Sequence, residues 1–135
     1  MRETLPFVTD EVFIGGRWRA PSGGQTLPLA NPSDGSTLTE IARGGADDVD
    51  AAVAAAQAAL DGEWGRLTAA ERGRLLATMG RKVLEHVDEL ARLEALDVGK
   101  PLKQGRADAV ALARYLEFYG GAADKVMGET IPYLN

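Results

Sequence analysis

Residues 89–118, ELARLEALDVGKPLKQGRADAVALARYLEF, read as a helix, a sharp break at Val98-Gly99-Lys100-Pro101, and a second, longer helix. Gly99 suits the left-handed conformation that closes a helix C-terminus, and Pro101 suits the first turn of the next helix, where a missing amide hydrogen costs nothing. Leu90, Leu93 and Leu96 line one side of the first helix. Leu102, Ala109, Leu112, Leu116 and Tyr119 recur in the second at steps of three, four and seven, the helical period. Running from Pro101 to about Tyr119, that helix would span roughly 27 Å. Gly105 within it either weakens it, by up to about 1 kcal/mol relative to alanine, or permits close packing. Two apolar stripes of this kind need covering.

Upstream, Thr68-Ala69-Ala70-Glu71 fits a capping box, in which hydroxyl and carboxylate each satisfy an orphan amide of the first turn. The helix it opens runs from Ala69 to about Val87, with Leu75, Leu76, Met79, Val83 and Leu84 inward and Arg72, Arg74, Arg81 and Lys82 in solvent. Before it, Asp47 or Asp48 caps a helix whose stripe is Val49, Val53, Ala56 and Leu60 and which stops near Asp61-Gly62. Trp64, just beyond, is read either as a buried anchor or as a ligand-stacking surface.

The first third is extended. Phe13-Ile14 and Trp18-Arg19 flank Gly15-Gly16, a two-residue turn, so Val12 to Arg19 is a hairpin. A turn at Pro21-Ser22-Gly23-Gly24 leads to a short edge strand, Thr26 to Ala30, interrupted by Pro28. Asn31-Pro32-Ser33-Asp34-Gly35 is turn chemistry throughout, and Leu38 to Arg43 returns as a strand. Residues 1–10 look like a flexible arm, residues 11–45 like a small antiparallel β layer, and residues 46–127 like a layer of four main helices. A complete Rossmann sheet is not expected, because the alternation of apolar strands and helices that a parallel sheet requires is missing.

The 135 residues have the apolar and charged fractions of an ordinary globular domain. The net charge of −5 and a pI near 4.9 exclude general attraction to nucleic acid or an anionic membrane. No apolar run is long enough to span a bilayer and the first residues lack a signal-peptide core, so a cytoplasmic location is expected. The cysteine count is zero, which removes disulfides, thiolate metal sites and any cysteine nucleophile. His86 is the single histidine, so a zinc site has no support, and the expected role of His86 is contact with the carbonyls at a helix end. Gly99-Lys100 lacks the earlier glycine and the following Ser or Thr of a P-loop; Lys100 reads as a solvent-facing or helix-end charge.

The run Glu94-Ala95-Leu96-Asp97-Val98-Gly99-Lys100-Pro101-Leu102, then Arg114-Tyr115, Tyr119-Gly120-Gly121-Ala122-Ala123-Asp124-Lys125 and Gly128-Glu129-Thr130-Ile131-Pro132, resembles the N-terminal portion of the NAD(P)-dependent aldehyde dehydrogenases. Phe13-Ile14-Gly15-Gly16-Arg17-Trp18 and Asn31-Pro32-Ser33-Asp34-Gly35 fall in the same register. The resemblance implies an α+β fragment of that family's α/β fold, the N-terminal part of its cofactor-binding domain.

It also implies a division of labour. Such enzymes attack an aldehyde with a cysteine thiolate, pass hydride to nicotinamide, and release the acid with water activated by a glutamate. Those groups and the NAD or NADP site belong farther along the family pattern, so no catalytic or cofactor-binding residue and no bound cofactor are expected in this chain. Its expected partner is the remainder of such an enzyme, or further copies of itself, with aldehyde as the substrate of the whole. The aspartate matching Asp97 often helps the family hold sodium or potassium, with backbone carbonyls matching Leu29 and Ala30; the alternative is that Asp97 only bonds loop amides. Ala111 and Tyr115 match positions facing the aldehyde tunnel, although an aromatic at helical spacing also serves a core. A non-catalytic helical interaction module, or an inert truncated product, is the other reading of the chain.

Overall fold

The computed structural model describes residues 8–129. Strands β1 (Val12–Ile14) and β2 (Arg17–Arg19) form the first hairpin, with Gly15 and Gly16 at φ 61° and 78°, as a two-residue turn of this hand demands. Phe13 pairs with Trp18 across it, their rings 5.1 Å apart. Strands β3 (Thr26–Ala30) and β4 (Thr37–Ala42) form a second antiparallel ribbon, irregular between Leu29 and Ala30. The β layer is thus two separate pairs. Of the arm expected at 1–10, residues 1–7 lie outside the described residues. Thr9 is tied to β4: its carbonyl accepts the Ala42 amide at 2.8 Å and its hydroxyl lies 3.1 Å from that of Thr39.

Five helices follow: α1 (Ala46–Asp61), the single turn α2 (Glu63–Arg66), α3 (Ala69–Glu85), α4 (Val87–Val98) and α5 (Leu102–Ala122). The α3 start is the expected capping box, with Glu71 accepting from the Thr68 amide at 2.7 Å and Thr68 accepting from the Glu71 amide at 3.3 Å. At α1 the cap residue is Gly45 rather than an aspartate. Asp48, three residues on, accepts the Gly45 amide at 2.9 Å, and also the Ser22 amide and hydroxyl at 3.0 and 2.9 Å. One buried carboxylate therefore fastens the 21–24 turn to the start of α1.

Helix packing runs along small residues, which corrects the expected inner faces. On α3 the buried positions are Gly73 and Gly80, while Leu75, Met79 and Leu84 are exposed. On α5 they are Gly105, Ala109 and Ala113, while Leu102, Leu112 and Tyr119 are exposed. A Cβ on Gly73 would fall 2.3 Å from the Gly120 carbonyl oxygen, and one on Gly120 would fall 2.7 Å from that of Gly73. A Cβ on Gly80 would meet the Ala113 carbonyl at 2.9 Å. The α3 and α5 backbones touch because nothing stands between them. Gly105 likewise sits 3.1 Å, by its absent Cβ, from the Ala91 backbone of α4, and Ala91 is 1% exposed. Of the two readings of Gly105, close packing is the one the structure supports.

The α4–α5 break falls where expected, with Gly99 left-handed at φ 71°. Pro101 is the cap of α5 rather than its first helical residue, and its carbonyl accepts from Gln104 and Gly105 at 2.8 and 3.0 Å. Beyond Tyr119 the helix continues through Gly120-Gly121 to Ala122. Trp64 is not a buried anchor: it is 43% exposed, with the Arg72 guanidinium 5.9 Å from its ring centroid. Arg72, expected in solvent, is folded back over Trp64 and donates to the Leu67 carbonyl at 2.6 Å.

Candidate functional site

Asp97 sits in the last turn of α4, where unpaired helix carbonyls already concentrate negative charge. Its side chain is solvent-exposed, with no hydrogen-bond or ion-pair partner among the described residues. That turn carries no basic residue. Asp97 lines a cavity of about 300 Å³ between α4 and the β3–β4 ribbon. Leu29, Leu38, Ile41, Leu93 and Leu96 supply its apolar wall, and Thr9 and Thr39 supply hydroxyls. The structure thus brings Asp97 and Leu29 to one cavity; Ala30 is not among its lining residues.

Lys100 is not solvent-facing. Its ammonium bridges Glu94 of α4 and Asp108 of α5, the latter at 2.7 Å, and Gln104 donates to the other Asp108 oxygen at 2.9 Å. The hydrogen bonds to Asp108 and then Glu94 raise the Lys100 pKa above its usual 10.5, and Lys100 in turn holds Asp108 below its usual 3.8. His86 also departs from expectation. It links α3 to α4, and its Nδ1 lies 2.8 Å from the Glu89 carboxylate instead of meeting terminal carbonyls.

Tyr115, Phe118 and Tyr119 form an exposed aromatic cluster on α5, at 63%, 68% and 62% exposure, with Phe118 and Tyr119 packed edge to face. With Arg114 and Glu117 they line an open groove of about 590 Å³. Ala111 lies one turn earlier, half-buried, outside that groove.

The described residues hold no cluster of three or more His, Asp or Glu suited to a metal ion. None of their helices is long and apolar enough to cross a membrane. What sequence reasoning missed is the Lys100 clasp and the role of Asp48. The signals were present as acidic residues six before and eight after Lys100 and as an aspartate in the first turn of α1, but neither spacing reveals its partners before the chain folds.

Comparison with known proteins agrees with the fold. The profile of the aldehyde dehydrogenase family matches residues 18–135. A hydroxyisobutyraldehyde dehydrogenase of Mycolicibacterium austroafricanum is 44% identical over 121 residues, covering 89% of this chain and 24% of the relative. Among solved structures, PnpE in complex with nicotinamide adenine dinucleotide superposes with a TM-score of 0.87 at 41% identity, over 93% of this chain and 26% of that one. Betaine aldehyde dehydrogenase from Staphylococcus aureus, solved with NAD+, superposes with a TM-score of 0.88 at 32% identity, over 96% and 26%. The chain spans about a quarter of the length of the relatives it matches.

Proposed function

The chain belongs to the aldehyde dehydrogenase family, and we propose that it is the N-terminal segment of an NAD(P)-dependent enzyme that oxidises an aldehyde to a carboxylic acid. The observation that carries this reading is how little of its apolar surface the chain covers. Val49, Val53 and Leu60 of α1, Leu75, Met79 and Leu84 of α3, and Leu112, Tyr115, Phe118 and Tyr119 of α5 are all exposed. At 46–68% exposed, each such side chain forgoes roughly half of the about 1.5–3 kcal/mol that full burial supplies. In this reading the other three quarters of the family pattern, on the same polypeptide or another, cover those faces.

With no cysteine in 135 residues, the thiolate that attacks the aldehyde must come from that remainder, together with the glutamate base and the dinucleotide site. The cofactor assignment is supported by the NAD+ held in relatives such as the staphylococcal enzyme. This segment contributes scaffold. Tyr115, on the exposed face of α5, and Ala111 one turn before it are proposed to border the aldehyde's path, where a small and an aromatic side chain together set its width.

Asp97 suits a monovalent cation such as sodium or potassium. Its exposed, unpaired carboxylate lies at a helix C-terminus and shares a cavity with Leu29, and a hard ion there would take oxygen ligands. Such an ion would neutralise the end of α4 against the β3–β4 ribbon and take no part in the chemistry.

The test is nicotinamide-dependent oxidation of a panel of small aldehydes by the purified chain, alone and mixed with the C-terminal three quarters of a relative. Activity in the mixture only is the expected result. Activity of the chain alone would overturn the division of labour. A stable complex without activity would favour a non-catalytic interaction module.

A further inference from the structure

The exposed face of α5 carries a seam. Ala111, Tyr115, Phe118 and Ala122 follow one another at steps of four, three and four, which keeps all of them on one side of the helix. That side lies away from Gly105 and Ala113, through which α5 meets α4 and α3. Tyr115 and Phe118 are its large members, 63% and 68% exposed, and both line the open groove described above.

The order of these side chains decides what fits them. Read from either end, the seam is small, aromatic, aromatic, small. An identical helix turned end for end therefore matches it layer by layer, with Ala111 facing Ala122 of the second copy and Tyr115 facing its Phe118. Aromatic pairs then meet at the centre, where interface hot spots concentrate, and alanines at both ends let the backbones close in. On one flank Leu112 comes beside Tyr119 of the other copy. On the other flank stand Arg114 and Glu117, which have no ion-pair partner among the described residues. The same two-fold sets each Arg114 within a turn of Glu117 of the other copy, so the flanks are complementary in charge. Two antiparallel helix dipoles also attract.

We propose that this face of α5 is an interface for a second copy of the chain, paired antiparallel about a two-fold axis that passes between Leu116 and Glu117. Four layers make a short seam, so the pair belongs among weak associations that bury less than about 1,200 Å² in total. It is a monomer at about 10 µM and largely a dimer at about 1 mM. The inference goes beyond the reading above: it concerns the segment before the remainder of an enzyme binds, and the two occupants exclude each other on α5.

Analytical ultracentrifugation of the chain between those concentrations tests the pairing without the remainder, so its outcome is separate from that of the reconstitution. A reversible monomer–dimer equilibrium is expected, with far-UV circular dichroism checking that each variant is folded. Phe118→Glu should abolish it. Arg114→Glu, which sets like charges together twice, should weaken it about 10-fold, and adding Glu117→Arg should restore it. Val53→Glu and Met79→Glu, on the open faces of α1 and α3, should leave it unchanged. Because the chain has no cysteine, single introduced cysteines report the register. Oxidised with copper phenanthroline, a mixture of Ala111→Cys and Ala122→Cys chains should form the mixed disulfide. Ala111→Cys alone should not link to itself, because its two copies lie about 16 Å apart along the pair. That readout leaves both aromatic residues intact and decides the matter should Phe118→Glu fail to fold. A monomer at every concentration, a higher aggregate in place of a dimer, association that survives Phe118→Glu, or a disulfide between two Ala111→Cys chains overturns the proposal.

Discussion

Asp48 shows how much one side chain settles in a segment with little core. It accepts the amides of Gly45 and Ser22 and the Ser22 hydroxyl, with Arg19 3.7 Å away. The Gly45 amide first, and the Ser22 amide next, hold its carboxyl below the usual 3.8. A carboxyl depressed in the folded state contributes stability that is complete above its unfolded value and is lost as pH falls through the folded one. Asp48→Asn should therefore lower the urea midpoint near neutrality, and the gap to the unmodified chain should narrow as pH drops below 3.8. A gap that stays constant through that range would show that Asp48 acts by shape rather than charge. The carboxylate's place in the first turn of α1 was legible in the sequence, because Asx residues favour helix starts; its bond to Ser22, 26 residues away, was not.

At the scale of elements, the order and bounds of the strands and main helices follow closely from turn chemistry and helical period. The capping box, the Gly15-Gly16 hairpin and the Gly99 stop are local, and local signals survive in a sequence. Which faces of α3 and α5 are buried was misread for a physical reason. Periodicity locates apolar stripes, but it does not say whether this chain or another surface covers them. The helices of this segment meet one another through glycine and alanine at spacings of four and seven: Gly73 and Gly80 on α3, and Gly105, Ala109 and Ala113 on α5. Their large residues point elsewhere. Gly73→Ala should accordingly destabilise the chain by about 1–3 kcal/mol, since the new methyl drives into the Gly120 carbonyl. Gly121→Ala, with nothing within 4 Å of the added carbon, should be neutral or stabilising by up to about 1 kcal/mol. Paired urea titrations decide this, and equal effects at both positions would remove the glycine seam from the account. The Asp97 cavity was half legible in the same sense. Asp97 and Leu29 do line one cavity, although the apolar character of the wall around them belongs to tertiary packing of α4 on the ribbon.

For the molecule as a whole, the surface is the telling quantity. The chain exposes 10306 Å². A compact monomer of 14.3 kDa would expose about 6,800 Å². Among the described residues the buried apolar set is Leu38, Ala91, Ala109 and Ala113, and no large side chain is fully enclosed. Uncovered apolar area on this scale favours association, either with copies of itself or with the surface the faces were shaped for. The central claim is that this surface is the remainder of an aldehyde dehydrogenase. Amide hydrogen exchange, followed by mass spectrometry with and without saturating C-terminal three quarters of a relative, tests it most directly. Binding should slow exchange along 49–60 of α1 and 112–119 of α5, the segments whose large side chains stand open, beyond any change in the 15–18 hairpin turn. Exchange unchanged in α1 and α5 at saturation would contradict the claim.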